Sequence, residues 1–122
     1  MERTFFVMGS LLAFLAVAIG AFGAHSLQGS FAPGMAAVYE TGVQYQFYHA
    51  LAILAVAFAL TQWPKSPAAI AGWLFLAGII LFSGSLYALS ITGSRLIGII
   101  TPFGGLAFLA GWVVLAWSAY RG

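Results

Sequence analysis

TGVQYQFYHALAILAVAFAL, residues 41–60, decides the fold. Its second part, from Ala50 to Leu60, holds no polar side chain. Its first part holds Gln44, Tyr45, Gln46, Tyr48 and His49. No turn signal separates the two, so they belong to one helix. Twenty helical residues span about 30 Å, the thickness of a bilayer's hydrocarbon core.

The rest of the chain agrees with that medium. Its 122 residues are 63% hydrophobic and 5% charged, with a mean hydropathy of +1.06. A water-soluble domain carries roughly 25% charged residues, so charge here is too scarce to coat a wetted surface. The net charge of +2 comes from Arg3, Lys65, Arg95 and Arg121 against two acids. These cations are scattered, which excludes a nucleic-acid footprint. There is no cysteine, so disulfides, thiolate metal sites and thiol catalysis are excluded.

Three further apolar runs flank the first, and the expected helices are about 5–25, 35–62, 67–91 and 96–120 in one transmembrane domain. None alternates with period two, so barrel strands are rejected. "APG" (Ala32–Gly34), "WPKSP" (Trp63–Pro67) and "TGSR" (Thr92–Arg95) punctuate the runs. Ser66 is the expected N-cap of the third helix, with Pro67 at its first position. Short connections make sequential helices antiparallel neighbours. The expectation is an all-α integral-membrane four-helix antiparallel bundle with both termini on one side. The first run is read as a retained helix, because it is longer than the apolar part of a signal peptide and Glu2 offsets Arg3. Arg3, Lys65 and Arg121 fall on the side of the termini and Arg95 on the other. That bias places the termini in the cytoplasm and the protein in the inner (plasma) membrane. Trp63, Trp117 and Tyr120 fall at the same interface.

Polar side chains gather in the half of the bundle away from the termini. If Leu60 marks one hydrocarbon boundary, Glu40 lies at the other and His49 lies roughly 12–13 Å deep. His25, Ser83, Ser85, Tyr87 and Thr101 share that half with Gln44, Tyr45 and Gln46. Polar groups in lipid face the bundle interior, each other or water. The expectation is a polar pocket opening on the far side. On a helical wheel Glu40, Gln44 and Tyr48 form one ridge and Thr41, Tyr45 and His49 the next. Both are expected inside, with Val43, Phe47 and Ala50 toward lipid. Gln46 falls outside this polar arc and needs a second helix.

Each group has a plainer role as well. Glutamines and tyrosines in a span often serve as interhelical glue. Glu40 is either solvated or paired with Arg95. His49 is a titratable group near mid-membrane. His25, His49 and Glu40 lack the spacing of a metal site, so no metal and no cofactor is expected. Ala16, Gly20 and Ala24, the pair Gly9 and Ala13, and Ser83-Gly84-Ser85 are small-residue packing faces. Pro102 either kinks the fourth helix or breaks it, with Thr101 as a cap. The small-residue faces and the unplaced Gln46 ask for more helix neighbours than one copy supplies. A homo-oligomer is therefore expected, with another membrane protein as the alternative partner.

"GAFGAHSL" (Gly20–Leu27), "YQFYHALAIL" (Tyr45–Leu54), "LFSGSLYAL" (Leu81–Leu89) and "ITPFGGLAFLAGW" (Ile100–Trp112) run in the order of a known family. Together they resemble DUF423, a family of small bacterial inner-membrane proteins similar to the eukaryotic transmembrane protein 256. The resemblance implies four helices, an inner-membrane location and no established activity. It marks Gly23, Ala24, His25, Gln46, His49, Ser83, Gly84, Ser85, Tyr87, Thr101, Pro102, Gly104 and Gly105 as family segments.

Beside an enzyme, which no catalytic constellation supports, two functional classes remain open. One is a binding or transport protein whose far-side pocket takes a small polar molecule, an ion or a lipid. The other is a structural partner of larger membrane complexes, its polar residues acting as glue. No catalytic residues are expected: there is no Ser-His-Asp set and no deep pair of carboxylates.

Overall fold

The structure is a computed structural model and describes residues 1–27 and 29–122. Four helices are long and apolar enough to cross a membrane, and no strand occurs among the described residues. α1 runs Glu2–His25 and α2 runs Ala36–Gln62. The third crossing is composite: α3 (Ala68–Gly78), a π-helical turn (Ile79–Ser83) and α4 (Gly84–Thr92). The fourth opens with a 3-10 turn (Ile97–Ile99) and continues as α5 (Thr101–Arg121). Both chain ends and the 63–67 connection lie at one end of the bundle, here the terminal end. Residues 26–27, 29–35 and 93–96 lie at the far end.

α2 is the central post. α1 packs chiefly on α2, and α5 packs chiefly on the third crossing. Half of the most apolar window of α2 is buried, against 17% for α1 and for the fourth crossing. The two flanking crossings therefore give most of their circumference to lipid, through side chains such as Phe14, Val17, Leu106 and Val113.

The buried stripe of α2 is Tyr39, Gly42, Gln46, His49, Ile53, Val56 and Leu60. Its steps alternate three and four residues, the 3.5-residue repeat that keeps one seam against a partner helix. On α1 the matching seam is Phe5, Gly9, Ala16 and Gly23, all buried, with Leu12 and Ile19 between them. Glycine and alanine there let the backbones approach: a Cβ on Gly9 would sit 2.9 Å from the Ala50 carbonyl oxygen. The core joins Phe5, Ile53, Val56, Phe75 and Phe108 from all four crossings.

This places α2 differently from the wheel expectation. Glu40, Gln44 and Tyr48 are exposed, whereas Ala50 is fully buried and Gln46 is 4% exposed. The buried seam is set by the small and apolar residues that repeat along the whole helix. Glu40 and Gln44 sit near the helix end, where a polar group reaches the interface without needing protein around it. The small-residue expectation also shifts on α1, where Gly23 is buried and Ala24 is exposed.

At the π turn the third and fourth crossings approach closely. Gly84 N–H reaches back five residues to the Ile79 carbonyl, the hydrogen bond that defines a π turn. Beside it Gly104 of α5 is so close to the Phe82 backbone that no Cβ fits. Gly84 itself faces open space, so its flanking serines do the packing expected of all three. Pro102 neither kinks nor breaks a helix interior. It lies in the first turn of α5, where its missing N–H costs little. Thr101 makes no cap. Ser66 does accept from the Ala68 N–H at 3.4 Å, although Pro67, not Ser66, is the N-cap position.

Candidate functional site

The polar residues of the far half divide into two sets, one inside the bundle and one on its surface. The inner set is a series of short bonds between crossings. Gln46 is its hub. Its Nε2 donates to the Leu12 carbonyl of α1 at 2.9 Å, and its Oε1 accepts from the Tyr87 hydroxyl of α4 at 2.6 Å. Reversing the amide would set its oxygen against the Leu12 carbonyl, so the two partners fix its orientation. Tyr39 likewise donates to the Ile19 carbonyl at 2.6 Å. Its ring stands 5.4 Å from that of Tyr87.

The serines continue the pattern. Ser83, fully buried at the end of the π turn, donates to the Gly42 carbonyl at 2.7 Å. Ser85 donates to the Phe82 carbonyl at 2.9 Å and lies 2.6 Å from the Thr101 hydroxyl. With the Ser85 proton used on Phe82, Thr101 is the donor in that pair. Ser90 donates to Tyr87 O at 2.8 Å, and the Ser90 carbonyl accepts from Ala32 N–H at 2.9 Å. That last bond ties the far-end connection to the top of α4.

His49 sits at the meeting of α2, α3 and α5. The Trp112 indole N–H points at its Nε2 across 3.1 Å, and its Nδ1 lies 2.8 Å from the Tyr45 carbonyl. Indole only donates and a carbonyl only accepts. The ring is therefore neutral, with its proton on Nδ1 and its one lone pair given to Trp112. Phe108 stacks on its face at 3.5 Å and 8°, and Phe75 lies 5.6 Å away. Both ring nitrogens are used and one face is covered. Among the described residues no buried side-chain nitrogen or oxygen lacks a partner. The polar interior expected as an open pocket is instead a closed set of pairs.

The outer set lies on α2 facing the groove beside α1. Glu40, Gln44 and Tyr48 are exposed along it. A cavity of about 380 Å³ opens at the far end, lined by Gly23, Ala24, Phe31, Tyr39, Glu40 and Gln44 among others. A second cavity of about 380 Å³ lies deeper along the same seam, with Ala16, Val17, Phe47 and Tyr48 in its wall. Gly20, Val43 and Gln44 line both, so the two form one groove, polar at its mouth and apolar below. Tyr45 lies between the sets. It is 37% exposed, and its ring is 4.8 Å from Phe82 and 6.0 Å from His49.

His25 and Arg95 join neither set. Both are exposed at the far end. Glu40 and Arg95 form no ion pair among the described residues, where the N-terminal amine with Glu2 is the one pair within 4 Å. No group of three metal-ligating side chains forms among the described residues. Gln46 finds two neighbouring helices within one chain, which removes one of the two grounds for expecting a homo-oligomer.

Sequence reasoning passed over Tyr39, Phe108 and Trp112. A signal was present for Trp112. It is the one tryptophan of the fourth crossing well inside the hydrocarbon, at a depth close to that of His49. An indole N–H there needs an acceptor. Tyr39 had a signal too, as the position that extends the 3–4 repeat of Gly42, Gln46 and His49 outward.

The sequence matches the family described as "Protein of unknown function (DUF423)" over residues 19–105. It is 45% identical over 120 residues to the UPF0382 membrane protein YwdK of Bacillus subtilis, covering 98% of each chain. It is 42% identical to UPF0382 membrane protein SAB0533 of Staphylococcus aureus, covering 98% of this chain and 97% of that one. A UPF0382 membrane protein of Haemophilus influenzae is 39% identical over 99% of this chain and 97% of its own. None of these descriptions names an enzymatic activity. No solved structure matches.

Proposed function

The chain belongs to the DUF423 family of multi-pass membrane proteins, and on that footing we propose that it binds an amphiphile in the groove between α1 and α2. The observation that carries this reading is the gradation of the groove. Its mouth offers the Glu40 carboxylate and the Gln44 amide. Its deeper part offers Ala16, Val17, Phe47 and Tyr48. A molecule with a cationic or hydrogen-bond-donating head and an apolar tail matches both parts at the depths where a bilayer holds them. In the bundle interior, by contrast, every buried polar side-chain atom among the described residues already has a hydrogen-bond partner.

Binding of a photoactivatable phosphatidylethanolamine to the protein in lipid nanodiscs tests the proposal. Ala24→Phe places a ring in the groove mouth from an exposed position, and Glu40→Gln removes the carboxylate. The expected result is labelling of α1 and α2 peptides, reduced several-fold by either substitution. Labelling spread evenly over the lipid-facing surfaces of α1 and α5, and unchanged in both variants, would remove the reading.

A second reading has its own support. The exposed ridge Glu40, Gln44 and Tyr48 runs beside small residues of α1, a surface that suits a helix of a partner or of a second copy. Photo-crosslinking from position 48 in native membranes separates the two: a discrete protein adduct favours assembly, and a lipid adduct favours amphiphile binding.

A further inference from the structure

A separate cavity of about 570 Å³ lies at the terminal end, between the 63–67 connection and the last turn of α5. Its wall holds the Lys65 and Arg121 cations and, at the rim, the carboxylate of Gly122, a net of one positive charge. The chain's two acidic side chains line other cavities, Glu2 beside Phe6 and Phe58, and Glu40 at the far end. Neither cation takes part in an ion pair among the described residues, and that includes the carboxylate of Gly122 at the rim.

The Arg121 cation is held in place, while Lys65 is exposed. The Arg121 guanidinium carbon stands 5.6 Å from the centre of the Trp117 ring, a cation–π contact that leaves the N–H edge of the guanidinium for another partner. Trp117 in turn rests against Tyr120, their rings 5.8 Å apart. On the opposite wall Gly122 lies against the Trp63 indole, and its N–H bonds to the Ser118 carbonyl at 2.9 Å. The end of α5 is thereby docked on the 63–67 connection, and two tryptophans flank the two cations. The C-terminal ends of α2 and α5 add negative partial charges of about half an electron each, and the start of α3 adds a positive one of similar size. With the Gly122 carboxylate counted, the full charges still sum to one positive charge, which outweighs the net of about half a negative charge from the helix ends. Tryptophans and tyrosines settle at the level of the lipid headgroups, which is where Trp63, Trp117 and Tyr120 would put this cavity in a bilayer.

We propose that this cavity is a binding site for the phosphate headgroup of an anionic phospholipid, with Arg121 and Lys65 as its ligands and Trp63 and Trp117 as its walls. The site is independent of the groove between α1 and α2, since it shares no residue with it and lies at the opposite end of the bundle. Arginine supplies a planar pair of donors to two phosphate oxygens, and lysine supplies a point charge.

Native mass spectrometry of the full chain, released from mixed micelles of phosphatidylglycerol and phosphatidylcholine, is the test. The wild type is expected to retain phosphatidylglycerol about tenfold or more over phosphatidylcholine, given the attraction of two basic side chains at the surface. Lys65→Gln with Arg121→Gln is expected to abolish that preference, while Lys65→Arg keeps it. Circular dichroism melts establish that each variant is folded. Lys65 is exposed, so Lys65→Gln alone gives a weaker but interpretable loss if the double variant does not fold. Equal retention of the two lipids by the wild type overturns the proposal, and so does an undiminished preference in the folded double variant. A parallel titration with inorganic phosphate separates the sources. Saturable phosphate binding with no lipid preference would mean a site for the free anion and would overturn the lipid assignment.

Discussion

The two faces of α2 treat polarity in opposite ways. On the buried face Gln46 and His49 have every hydrogen-bonding atom engaged by a neighbouring crossing or by α2 itself. On the exposed face Glu40, Gln44 and Tyr48 make no side-chain bond to another crossing among the described residues, and they line a groove instead. A polar residue inside a membrane is therefore not in itself a sign of a ligand site. In this bundle the buried ones bond to neighbouring helices or to their own helix backbone, and the exposed ones line a groove.

That contrast breaks most severely where backbones touch. Gly104→Leu puts a side chain into the Phe82 backbone, and overpacking of this kind costs about 1–3 kcal/mol or more. The expected outcome is loss of the folded bundle or a large fall in its melting temperature in detergent, read by circular dichroism. A variant that melts with the wild type would mean that α5 does not approach the π turn so closely.

Next in size is the hub. Gln46→Leu leaves the Tyr87 hydroxyl unpaired in the interior, with an expected loss of about 1–3 kcal/mol. Adding Tyr87→Phe should restore part of that loss, because both partners are then apolar. A double-mutant cycle in denaturant or steric-trap unfolding measures the coupling, and additive losses would show that the pair is not bonded. Trp112→Phe removes the donor to His49 at a smaller expected cost, about 0.6 kcal/mol by analogy with other interhelical bonds in membranes. Its sharper readout is the imidazole nitrogen NMR spectrum. The Nε2 resonance should move and the Nδ1 resonance should stay. The smallest effect belongs to the other face. Gln44→Leu and Tyr48→Phe should change stability by no more than about 0.5 kcal/mol, because no other crossing bonds to them. A loss comparable to that of Gln46→Leu would erase the distinction between the faces.

The four crossings were legible because scarcity of charge and helical length leave few alternatives for a chain of this size. The rotation of α2 was not. With apolar residues on nearly every side, the period that separates faces is carried by size rather than polarity, and the 3–4 repeat from Tyr39 to Leu60 shows only when Gly42, Gln46 and His49 are read as part of it. The wheel reading grouped Glu40 with His49 as polar residues needing the same shelter, although one lies near the interface and the other near mid-membrane. The π turn left no local signature in "IILFS", and the close approach of Gly104 beside it comes from another crossing. The polar residues of the far half could be listed from the sequence. Their division into an inner set and an outer set depends on partners, Leu12 O and Ile19 O among them, that are backbone atoms of apolar residues and so invisible in composition.

The amide of Gln46 has a consequence for biogenesis. Crossings enter the bilayer in order from the N-terminus, so the hairpin of α1 and α2 exists before α4 has been made. At that stage the Gln46 N–H already has the Leu12 carbonyl, but its oxygen must wait for a hydroxyl that arrives some forty residues later. The early hairpin thus carries one unanswered acceptor in lipid, which favours recruitment of the next crossing over drifting apart. A single side chain in this way couples the sequence of synthesis to the order of assembly.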